Sequence, residues 1–313
     1  MNMQLLVENQ RLRSASPILP SRWAPPSLQS QASVMKWHVN QETLRRTLSI
    51  PDLDYVDIAF ILDKKEELPA KQRAQAEQIV NTTLFRNWIV TTSSAKLLVQ
   101  WDSQLPQTIA EVSPLSVFCA TMVQALQAKE RFLSVQWFCG RHADLMEAGL
   151  YVGGRAMLRS LIDQLLREHS FDMQKMYPEI DHASLQEGQI SELERLLCWL
   201  IQQLPQTITL ICIIDGVVLY ERPEHYDEAW PGLACLLRMT GDLSLAATVK
   251  VLFTSTPGPT LFRAAFEEEN LILNVDTMPR LEWTPSNERM ARELGDGLDE
   301  PVTEYHQYDR KSI

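Results

Sequence analysis

The 313-residue chain carries 45% hydrophobic and 22% charged residues with a formal net charge of −11, a composition that fits one large globular domain or two modest ones. Its 40 acidic residues against 29 basic ones argue against nonspecific binding to nucleic acid or anionic lipid, which rests on clustered Lys and Arg. No apolar run approaches the ~20 residues of a membrane-spanning helix, so neither nucleic acid nor a membrane is an expected partner.

In chain order, residues 1–36 carry Arg11, Arg13 and Arg22 against one acid, Glu8, together with Pro17, Pro20, Pro25 and Pro26. That composition predicts a disordered polar arm. The arginines and serines also suit a mitochondrial presequence, the alternative to a cytoplasmic location. Residues 37–92 read as a helical N-terminal extension. Its first part, 37–68, shows no firm period, whereas AKQRAQAEQIVNTTLFRNWI from 70 predicts one helix that offers Ile79, Val80, Phe85 and Trp88 for burial.

KLLVQW (96–101) predicts the first strand, followed by the loop DSQLPQTIAEVS and a helix over 114–128. Ser113 suits the N-cap and Pro114 the first turn. LSVQWFC (133–139) predicts the second strand. A helix over 154–168 gathers Leu158, Leu161, Ile162, Leu165 and Leu166 into one stripe. After a polar stretch at 170–190, Ser191 and Glu194 have the spacing of a capping box and open a helix whose Leu193, Leu196, Leu197, Leu200, Ile201 and Leu204 share a face. LICIID (210–215) is the third strand. A helix at 227–239, the strand VKVLFTST (249–256) and the strand LILNV (271–275) follow. From Pro279 the chain turns polar, with the run ELGDGLDE, and reads as an acidic flexible tail over 279–313.

Strands alternating with helices predict an α/β fold: a five-stranded, mainly parallel sheet with helices on both faces. Such a sheet binds ligands at the carboxyl ends of its strands, where Asp102 and Asp215 both fall. The five cysteines form no CxxC pair and read as small core residues in a reducing compartment. Cys139 and His142 have ligand-like spacing, but two residues do not make a zinc site.

The blocks LLVQW, SPLSVFCATMVQAL, VQWFCG, MLRSLIDQLL, LICIIDG and VKVLFTS, in that order over 96–275, resemble the NACHT-like P-loop domains of fungal STAND-type proteins, a set that includes nephrocystin-like N-terminal domains. The resemblance implies a P-loop NTPase-like three-layer domain over 93–278. It also implies ATP binding, a conformational switch that often drives oligomerisation, and the strand order fifth, first, fourth, third, second.

A phosphate loop needs glycines to turn backbone N–H groups toward phosphate, a lysine to meet its charge and a hydroxyl for magnesium. The matching loop has no glycine and no lysine, and contributes Asp102 and Glu111, which would repel a triphosphate. What remains is the helix start at Ser113 and Ser116, whose free N–H groups attract an anion. The strand with Asp215 and Gly216 matches the magnesium-holding strand better. The positions three and four beyond Asp215, where the family usually places acids, hold Val218 and Leu219, so Glu221 is the nearest candidate base. Thr256 stands where many STAND domains carry an arginine that senses the terminal phosphate, and Thr254 and Ser255 are expected to satisfy backbone groups. Arg155 and Arg159, after Gly153–Gly154, could meet an anion or stay solvated.

No GxSxG elbow, HExxH pair or basic-aromatic stripe is present. Two readings follow. The first is a degenerate P-loop domain without a cofactor, a non-hydrolysing binding or regulatory module with a protein partner or a second copy of itself. The second is an ATP-binding enzyme with an atypical phosphate loop. In it Asp215 and Glu221 are catalytic, Asp102, Ser113 and Ser116 touch the cofactor, and Asp215 holds magnesium.

Overall fold

The computed structural model describes residues 40–102, 112–176, 179–256, 260–279 and 284–299. The expected polar arm, the loop residues 103–111 with Glu111, and 300–313 of the expected tail lie outside the described residues. Four helices, α1 (Gln41–Leu48), α2 (Leu53–Lys64), α3 (Ala70–Glu77) and α4 (Thr83–Val90), precede β1 (Ala95–Gln100). Then come α5 (Pro114–Gln127), β2 (Phe132–Phe138), α6 (Leu145–Ala148), α7 (Gly153–Glu168), α8 (His182–Gln186), α9 (Ile190–Gln202) and β3 (Thr209–Asp215). The remaining elements are α10 (Pro223–Met239), β4 (Thr248–Ser255), α11 (Ala264–Glu267), β5 (Ile272–Asn274) and α12 (Asn287–Asp299).

The five strands form one parallel sheet in the order β2-β3-β4-β1-β5, with Val135 opposite Cys212, Ile213 opposite Leu252, Leu97 opposite Leu252, and Leu98 opposite Ile272. The expected order is the observed one. Strands buried on both faces need continuous apolar runs rather than alternation, and LICII supplies one. Odd and even positions then serve opposite cores. Cys212, Ile214, Val251 and Phe253 pack with Leu161 and Leu165 of α7, Leu196 and Leu200 of α9, and Leu233 and Leu236 of α10. Ile211, Ile213, Leu97 and Leu252 pack with Phe118, Met122 and Leu126 of α5, Phe85 and Trp88 of α4, and Met290 and Leu294 of α12. The result is the three-layer α/β architecture. No helix of the described residues is long and apolar enough to cross a membrane.

The N-terminal helices share these cores: Leu44 and Leu48 of α1 join the first, and Ile58 and Ile61 of α2 join the second. Two ion pairs fasten them to α7, Arg45 Nε to Asp163 Oδ1 at 2.8 Å and Arg167 Nη2 to Asp54 Oδ2 at 2.6 Å.

Several local expectations change. The single helix from 70 is two helices joined by a 3₁₀ turn at Gln78–Asn81. Thr82 adopts extended backbone, and its hydroxyl captures the Phe85 N–H at 3.3 Å, the local competition that favours Thr at a cap. The Ser191–Glu194 capping box does not form. Gly188, at φ +74°, turns the chain early, so α9 starts at Ile190 with Gln189 at the cap, and Glu194 accepts instead from Arg238 at 3.1 Å. Helix α10 starts at Pro223, four residues before the expected 227, because proline is preorganised for a first helical position. Within the segment read as an extended tail, 287–299 is helical, and Met290, Leu294 and Leu298 are buried at 1, 3 and 6% exposure. Cys119, Cys139 and Cys212 are free and buried. The sulfurs of Cys198 and Cys235 instead face each other between α9 and α10, two helices that pack on the same side of the sheet.

Candidate functional site

The carboxyl ends of β3 and β4 meet the N-terminus of α5. Ser113 ends an extended segment at φ −105°, ψ 166° and starts α5 with Pro114 at the first position. A reciprocal box closes that end: Ser113 Oγ accepts from the Ser116 N–H at 3.1 Å, and Ser116 Oγ accepts from the Ser113 N–H at 3.1 Å. Ser116 then donates its hydroxyl to Asp215 Oδ2 at 2.6 Å. Thr254, on the neighbouring strand, donates to Asp215 Oδ1 at 2.6 Å and accepts the Gly216 N–H at 2.9 Å. Gly216 takes φ +71°, which lets the chain leave the strand into a 3₁₀ turn over Val217–Glu221.

Asp215 is 3% exposed. Burial raises the pKa of its carboxyl above the ordinary range, and the hydroxyls of Ser116 and Thr254 oppose that rise by stabilising the anion. Burial first, and then the charge of Asp215, push the thiols of Cys119 and Cys139 up. Neither is poised as a nucleophile.

The candidates do not all converge. Ser113, Ser116 and Asp215 come together. Asp102, exposed beyond the end of β1, belongs to a separate polar group. Its N–H donates to Asp276 Oδ2 at 3.0 Å, and its carboxylate accepts from Asn274 Nδ2 at 3.3 Å and from the Gln100 amide. Glu221 accepts the Leu261 N–H at 2.6 Å and the Thr260 hydroxyl, so it caps the turn at 261–263. His142 uses both ring nitrogens, Nδ1 on the Tyr151 carbonyl at 2.8 Å and Nε2 on Asp57 Oδ2 at 2.7 Å. It therefore makes no metal pair with Cys139. Sequence reasoning missed the role of Thr254, which bonds the carboxylate as well as the backbone.

A second signal lay in the spacing. With Ser116 at the hydroxyl position of GxxxxGK[ST], Leu115 falls at the lysine position and Pro114 at the last glycine. Leu115 is fully buried in the core between α5 and the sheet. An apolar side chain pointing inward is no substitute for an ammonium reaching out to phosphate.

The profile of the family described as Nephrocystin 3, N-terminal, matches residues 75–256, more than half of the chain. The chain belongs to the nephrocystin-3 N-terminal family. The match ends at Thr256, just past β4, so it takes in every element that builds the Ser116–Asp215–Thr254 node. A comparison of this family member with curated proteins found no match.

Magnesium is the ion that a P-loop hydroxyl and a strand-end aspartate hold between them. In this nephrocystin-3 N-terminal domain the two oxygen donors of that pair are present and hydrogen-bonded to each other at 2.6 Å. The described residues supply neither lysine nor glycine at the places that would bring phosphate to them. The oxygen pair suits a hard cation, while the sequence at the loop does not supply the phosphate contacts.

Proposed function

We propose that this nephrocystin-3 N-terminal family member is a degenerate, non-hydrolysing P-loop domain that works as a binding or regulatory module. It acts in the cytoplasm, through a protein partner or a second copy of itself. The observation that supports this reading is the closed node: Asp215 has both carboxylate oxygens engaged by Ser116 and Thr254, and Leu115 is buried at the lysine position. In a working centre a lysine and glycine backbone at the loop positions would meet the phosphates. Here the hydroxyl and the carboxylate join α5 to the sheet, a structural use of an inherited switch position in the STAND manner.

One observation favours a second reading, an ATP-binding NTPase with an atypical phosphate loop. The Ser116–Asp215 pair keeps the geometry in which an ion could replace the shared proton, and Thr256 Oγ1 is buried without a partner among the described residues. Titration with Mg-ATP separates the two. Binding that depends on Ser116 and Asp215 favours the enzyme; no binding at millimolar nucleotide favours the module.

A further inference from the structure

A cavity of about 380 Å³ opens beside the start of α7, a volume in the range of small-molecule sites. Two guanidiniums one helical turn apart, Arg155 and Arg159, line it, and Glu228 of α10 is the one carboxylate among its walls. Glu228 Oε1 accepts from Arg155 Nη2 at 2.9 Å. Among the described residues Arg159 has no such partner, and its Nε is buried without a hydrogen bond. The pocket therefore holds a net positive charge in a chain whose formal charge is −11.

The Arg159 guanidinium lies against Gly188. Gly188, at φ +74°, lies so close that a Cβ there would clash with the guanidinium. Gly154 packs on the Glu228 backbone as tightly, which fixes the first turn of α7 against α10. The Val152 side chain offers α7 no cap, and Val152, Arg155 and Ala156 line the cavity, so the positive end of the helix lies beside it. The pKa of Arg159 is lowered by burial and by the charge of Arg155, as expected of a cation that lacks its anion. The rest of the wall, formed by Ile50, Leu150, Tyr151 and Val152 with Ser49 and Ala156, is largely apolar.

We propose that this cavity binds a small organic phosphomonoester, with Arg155 and Arg159 gripping the dianionic head and the apolar wall covering an aromatic or aliphatic body. Two forks one turn apart can each engage phosphate oxygens, and a dianion matches two guanidiniums better than a carboxylate does. The site rests on different residues from the Ser116–Asp215 node, so it stands whether or not that node binds nucleotide.

Isothermal titration of the full chain with phenyl phosphate tests it, with phenylacetate and benzyl alcohol as comparison probes. Binding in the millimolar range or tighter is expected for phenyl phosphate, weaker binding for phenylacetate and none for benzyl alcohol. Arg159→Gln and Arg155→Gln should each weaken binding about tenfold, the worth of one charge-assisted hydrogen bond. Glu228→Gln frees Arg155 and should strengthen binding, a gain that damage to the fold cannot produce. No heat at about 10 mM phenyl phosphate, equal affinity for phenylacetate, or unchanged affinity in both arginine variants would overturn the proposal.

Discussion

Ser116, in the first turn of α5, donates its hydroxyl to Asp215 Oδ2 across 2.6 Å and so ties the helix to the last residue of β3. The bond is buried and its acceptor is a carboxylate, so its loss should exceed that of an ordinary neutral hydrogen bond. Ser116→Ala should lower unfolding free energy by about 2 kcal/mol, read from urea denaturation. A change within ~0.5 kcal/mol, the level of a surface substitution, would mean that the node does not hold the fold.

Asp215 also predicts a pH signature. Its folded pKa lies above the ordinary value of 3.8, chiefly through burial. Below that value both folded and unfolded states are protonated and no penalty arises. As pH rises toward the folded pKa, the unfolded state ionises first, so stability falls across that window. Asp215→Asn removes the titration. The difference in stability between wild type and D215N should therefore shift in favour of D215N as pH rises from about 3.8, and a difference flat in pH would contradict the account.

Lys250 is fully buried in β4, its Nζ has no hydrogen-bond partner among the described residues, and burial lowers its pKa to about 8. Between pH 8 and 10.5 the unfolded chain binds the proton more strongly, so stability should rise with pH there and carry the full penalty below 8. Lys250→Met should stabilise the protein by about 3 kcal/mol at pH 7 and flatten that rise. A destabilised K250M protein would show that the amine has a partner the described residues do not provide.

The helix at 287–299 makes a fourth stability test. Arg289 donates to Glu77 Oε2 at 2.7 Å, Asn81 donates to Glu293 at 2.8 Å, and Leu294 is buried against the sheet-side core. Leu294→Ala should cost about 2–5 kcal/mol, measured by thermal or urea unfolding. An extended, solvated segment would give nearly nothing.

These four sites differ in how far they were legible. The strands could be read because a strand buried on both faces must be a continuous apolar run, and LICII or VKVLF is hard to place elsewhere. Helix α12 could not, because its three buried residues are spaced four apart among eight acidic, basic and glycine positions that dominate the composition. Ser113, Ser116 and Asp215 were identified as residues, but their contact depends on a long-range register that no local pattern encodes. Glu221 and Asp102 illustrate the converse. Both are carboxylates in the right part of the chain, yet Glu221 turns to the Thr260–Leu261 amide and Asp102 to Asn274, partners remote in sequence. Gly188 turns the chain three residues before the expected cap, so Ser191 falls inside the helix rather than at its start.

Thermal unfolding of the purified chain in a series of Mg-ATP concentrations tests the central claim most directly. A ligand present at a hundred times its dissociation constant adds about 2.7 kcal/mol to the folded state. With Ser116, Asp215 and Thr254 bonded to one another and Leu115 at the lysine position, the unfolding temperature should not move up to millimolar Mg-ATP. A dose-dependent rise that Asp215→Ala abolishes would contradict the account and establish a working nucleotide site.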